Sequence, residues 1–130
     1  MRAHARWLFG SAAALNFALA TALLFLFPRL APVLRLDAAN GTNVVMVNAT
    51  GALIATFGVA YVLLAVDPVR HRVFVPLAIL GKLLVVAVVA WPWLAGAVPW
   101  TLPALTGADV VYAALFLHFL RKTSAQQRDS

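Results

Sequence analysis

A chain of 130 residues, 64% hydrophobic and only 11% charged, has room for one compact membrane bundle and none for a separate soluble domain. The net charge of +6 is divided among separate short segments, which suits membrane topology and attraction to anionic headgroups and argues against nucleic acid as a partner. Absence of cysteine excludes disulfides, thiol nucleophiles and thiolate metal sites.

Four apolar blocks follow one another along the chain, at about 7–27, 44–66, 73–94 and 103–120. Each is long enough to cross the hydrocarbon of a bilayer as a helix, the form that satisfies every backbone group internally. The first block follows a basic start and contains Ala18-Leu19-Ala20, the small-x-small form of a signal-peptidase site. Its apolar run continues unbroken from Thr21 to Phe27, so an uncleaved first helix is expected. Ala12, Asn16 and Ala20 form a stripe along it.

The second block carries Asn48, Gly51, Ala55 and Gly58, a spacing that puts small residues on nearly one face and suits close backbone approach. This seam is expected to face the stripe on the first helix. Asp67-Pro68-Val69-Arg70-His71-Arg72 then makes a compact turn, since proline fixes one dihedral and aspartate accepts from following amides. Beyond its connecting role, Arg70, His71 and Arg72 have the chemistry to grip a lipid phosphate or an acidic partner surface.

Basic residues give the orientation. Arg2 and Arg6 precede the first block, Arg70 and Arg72 lie between the second and third, and Arg121, Lys122 and Arg128 follow the fourth. The positive-inside rule makes these segments cytoplasmic, with both termini inside and neighbouring helices antiparallel. Trp7 then falls at the inner interface, and Trp91, Trp93 and Trp100 at the outer one. The expected fold is all-α, a four-transmembrane-helix bundle in a bacterial inner membrane.

At a rise of about 1.5 Å per residue, Asn16 lies roughly 13 Å from the cytoplasmic end of its helix, Thr56 roughly 15, Lys82 roughly 13 and Asp109 roughly 16. Lys82 and Asp109 are the ionisable residues placed near the midplane. Each costs on the order of 3 kcal/mol at a helix centre, so the economical arrangement turns both inward to meet. Such a pair reads either as a register-fixing ion pair of little net stability or, with Asn16, Asn48 and Thr56, as a polar cluster that holds a ligand's head or forms part of a proton path. The alternative leaves the two unpaired, with Lys82 snorkelling and Asp109 hydrated near the outer rim. A haem would need two histidines at matching depth on facing helices; of His4, His71 and His118 only the last lies within a block, which leaves a haem only the approach of His71 to His118 at the inner rim. No histidine and acid cluster has zinc-ligand spacing. Neither a metal nor a cofactor is expected.

Gly58-Val59-Ala60-Tyr61, Asp67-Pro68-Val69-Arg70-His71, Leu80-Gly81-Lys82 and Asp109 at the start of the last helix resemble a group of small bacterial four-helix membrane proteins, DoxX-like in broad architecture. The resemblance implies the four-span fold and marks Tyr61, Asp67, Arg70, Lys82 and Asp109. Small multidrug transporters share the span count but rely on a glutamate in the first helix, and this chain has no glutamate. Three functions follow as expectations. The first is a non-enzymatic bundle binding a lipid or other apolar ligand. The second is an accessory subunit packing against a larger membrane complex through its small-residue seam, with a homo-oligomer as the other partner, and the third is a proton-coupled transporter using Lys82 and Asp109.

Overall fold

The computed structural model describes residues 2–128, with side chains over 3–125; Arg2 and Arg128, counted among the basic ends, have side chains outside the described residues. The described residues form helices α1 (Arg2–Thr21), α2 (Phe27–Val33), α3 (Thr42–Val66), α4 (Phe74–Leu94) and α5 (Thr101–Arg128), with a five-residue π turn, Ala22–Leu26, joining α1 to α2. Four helical spans are long and apolar enough to cross a membrane: Ala3–Val33, Thr42–Val66, Phe74–Leu94 and Thr101–Ala125. The chain is therefore a small multi-pass membrane protein, all-α as its apolar blocks require.

The first span continues beyond the expected end at Phe27 because the helix reopens after a wide turn. Pro28 has no N–H to offer the carbonyl of Leu24, and its ring crowds that carbonyl; a π turn over Ala22–Leu26 spreads the backbone at this point. Past α2, Leu36 N–H bonds Ala31 O at 2.8 Å and Arg35 N–H bonds Pro32 O at 3.3 Å, with Arg35 at φ 56°. This double bond to the last carbonyls is a Schellman cap built on a residue other than glycine. The same cap ends α4 on Gly96, at φ 73°, where Ala97 N–H reaches Pro92 O and Gly96 N–H reaches Trp93 O, each at 2.9 Å.

Two compact units divide the chain, Met1–Pro68 and Val69–Ser130. In the first, α1 and the π turn pack along α3. Asn16 meets Ile54, Phe17 meets Gly58 and Leu24 meets Gly51, so the two helices run antiparallel. Ala5, Phe9, Ala12, Ala20, Tyr61 and Leu64 fill the interface. The glycines act through what they lack: a Cβ on Gly51 would stand 2.9 Å from Leu24 Cγ, and one on Gly58 would stand 2.9 Å from the ring of Phe17.

In the second unit α4 packs antiparallel on α5, through Lys82 with Asp109 and Arg72 with Leu120. Buried residues recur at helical spacing on each, Val75, Ala78 and Lys82 on one and Thr106, Ala113, Phe116 and Phe119 on the other. Pro76 and Pro103 sit in the first turns of α4 and α5, where a missing N–H costs nothing. Helix α5 outlasts its apolar block by about two turns. There Arg72 crosses from the start of the unit, its guanidinium donating to the Leu120 carbonyl at 3.3 Å and to the Ser124 hydroxyl.

Candidate functional site

Lys82 lies in the ninth position of α4, on the buried stripe that Val75 and Ala78 begin. Asp109 lies in the ninth position of α5. Each is about 12 Å from the start of its helix, and because the helices are antiparallel the two come level inside the apolar spans. Lys82 Nζ donates to Asp109 Oδ1 at 2.6 Å. The small side chains of Ala78 and Ala113, buried on the two facing stripes, let the helices come close enough for this contact.

Tyr112, one turn beyond Asp109, presents its ring face to the ammonium, 5.5 Å from the centroid, adding a cation–π attraction in a medium without water to screen it. Thr106, one turn before Asp109, is buried and returns its hydroxyl to the Pro103 carbonyl at 3.0 Å. Neither Tyr112 nor Thr106 is singled out by its residue type, since both types are tolerated throughout membrane helices. The available signal is their spacing of three residues on either side of the lone acid in the span.

The two partners are not equally enclosed. The Lys82 side chain is 6% exposed and that of Asp109 21%. The pair therefore opens on its carboxylate side.

Of the other polar residues of the spans, Asn16 and Thr56 are satisfied within the first unit. Asn16, buried in the first unit, donates its amide to the Ile54 carbonyl across the α1–α3 contact at 3.1 Å. Thr56 is exposed and bonds the Ala52 carbonyl of its own helix at 2.9 Å. Asn48 is exposed as well, and leaves the side on which Gly51 and Gly58 are buried. Over the ten residues from Asn48 to Gly58 an α-helix falls about 80° short of three whole revolutions, which carries the asparagine off the buried side. Ala55 is half-buried between the two glycines.

In the connecting turn Asp67 ends α3, its N–H bonded to the Leu63 carbonyl at 2.9 Å. His71 is half-buried and stacks its ring on Phe74, with centroids 6.1 Å apart and planes 5° from parallel. Arg70 is exposed, whereas Arg72 is turned to the end of α5 as described. His118 is exposed on α5. Among the described residues, no three histidine or acidic side chains gather as a metal site would require.

No family model matches the chain, and no curated protein or solved structure is significantly similar to it.

Proposed function

We propose that this protein binds a lipid or other apolar ligand within the membrane, the ligand's polar head meeting the Lys82–Asp109 pair while its apolar body lies along the helices. The observation that carries this reading is the unequal exposure of the pair, 6% against 21%. A pair serving only to hold two helices in register repays its desolvation when further hydrogen bonds close the remaining lone pairs of its carboxylate. A carboxylate left open among apolar side chains offers an acceptor to a head group that has no water to bond. The short contact to Lys82 keeps that acceptor fixed in place. Because the two charges neutralise one another at 2.6 Å, the arrangement suits holding a ligand better than moving a proton. The basic residues at Arg6, Arg70, Arg72, Arg121 and Lys122 favour an orientation with both termini cytoplasmic.

Native mass spectrometry of protein released from lipid nanodiscs tests the reading. Wild type should retain an apolar adduct of lipid size, and Asp109→Ala should lose it, while Asp37→Ala, altered in an exposed loop residue, keeps it. A bare wild-type protein, or an adduct that survives Asp109→Ala unchanged, would refute a ligand site at the pair.

A further inference from the structure

Helix α3 buries one side against α1 and presents another that is organised in its own right. Val45, Ala52, Val59 and Val66 recur at seven-residue intervals, with Asn48, Ala55 and Val62 between them. Val45, Val59, Val62 and Val66 are 62%, 53%, 41% and 70% exposed, and Asn48 and Ala52 are exposed with them. Taking Asn48 as origin, Val66, Val59, Ala55, Ala52 and Val62 all lie within about 40° of it around the helix. A seven-residue repeat is the pattern of helices that cross in a left-handed coil. Valine in a helix holds essentially one rotamer, so it loses little freedom when such a face is covered.

Asn48 gives this face a polar requirement. It lies six residues into α3, about 9 Å from its start. The neighbouring hydroxyls of Thr50 and Thr56 return to the carbonyls of Met46 and Ala52, which lets those side chains face acyl chains. The Asn48 amide has no hydrogen bond among the described residues and carries both donors and an acceptor. In hydrocarbon such a group is stabilised by an amide at its own depth.

We infer that this face of α3 docks on the same face of a second copy of the chain, related by a two-fold axis along the membrane normal, with the two Asn48 amides hydrogen-bonded to each other. A parallel copy supplies what the observations require together: an amide at identical depth, donor against acceptor, and a matching seven-residue register of valines. The contact is independent of any ligand at Lys82 and Asp109, and its test can fail or succeed without reference to one.

The cysteine-free chain makes the test direct, since a single introduced cysteine has no disulfide partner within its own chain, and a covalent species of twice the chain's mass reports a second copy. Ala52→Cys and Val59→Cys, oxidised in membrane vesicles with copper phenanthroline, should give covalent dimers. Met46→Cys and Leu53→Cys, exposed on other sides of α3, should remain monomeric. Adding Asn48→Val to Ala52→Cys should weaken dimerisation roughly threefold to tenfold, the range expected for one interhelical hydrogen bond. Monomers at both Ala52→Cys and Val59→Cys, or equal cross-linking at all four positions, would overturn the interface. An undiminished dimer in the Asn48→Val background would overturn the amide pairing.

Discussion

Asp109→Asn is expected to be the most damaging single change in the second unit, lowering stability by about 3–5 kcal/mol, the usual cost of leaving one charge of a buried pair without its partner. The stranded group would be the Lys82 ammonium, on a residue only 5% exposed. Lys82→Met strands the carboxylate instead, which at 21% exposed can still be reached by a polar head group; its loss should be the smaller. The double variant Lys82→Met/Asp109→Asn removes both charges and should recover most of the loss of Asp109→Asn, because replacing a whole buried pair is often near neutral. Tryptophan fluorescence during unfolding in mixed micelles reads all three. Losses that simply add in the double variant would show that the 2.6 Å contact is not energetically a pair.

Leucine at Gly51 or Gly58 is expected to part α3 from the π turn or from α1, respectively, at a cost of about 3 kcal/mol or more, since a close contact without spare volume must open to admit the branch. Alanine separates the two positions. At Gly58 the new methyl meets the far edge of the Phe17 ring, and Phe17 is 38% exposed, so the ring can swing aside. At Gly51 it meets Leu24 Cγ at 2.9 Å and Leu23 Cβ at 3.3 Å, atoms held near the backbone of the π turn. Gly51→Ala should therefore cost about 1–3 kcal/mol and Gly58→Ala less than about 1. Thermal denaturation in detergent followed by circular dichroism checks the order, and equal losses at the two positions would contradict this account of the contact.

How far the sequence discloses these features depends on the force that governs each. The four spans are legible because length and apolarity alone require them. Their ends are less so: α5 continues through Arg121, Lys122 and Gln126 to Arg128 because helix-favouring polar residues extend a helix after its hydrophobic block has stopped. Pro28 is visible in the sequence, but whether a chain answers a proline with a kink, a stop or a π turn depends on what packs beside it. Lys82 and Asp109 can be picked out as candidates because neither charge tolerates lipid. Tyr112 and Thr106 cannot, since each is at ease in many membrane settings. Asn48 shows the limit of spacing arguments: intervals of three and four residues look like one face over two turns, and drift off it over three.

The break in the first span stands in a particular place. From Trp7 to Arg29, an indole and a cation of the kind that seek the headgroup layer, the helix climbs about 33 Å, close to the thickness of a bilayer's hydrocarbon. The wide turn at Ala22–Leu26 occupies the last stretch of that climb, just short of Arg29. The carbonyls that Pro28 and Pro32 deprive of partners thus lie toward the edge of the oil, where hydration is at hand and an incomplete backbone ladder is tolerated. Moved two turns deeper, the same prolines would leave bare carbonyls in the dry interior; at the rim they let the chain leave the membrane with its helix still formed.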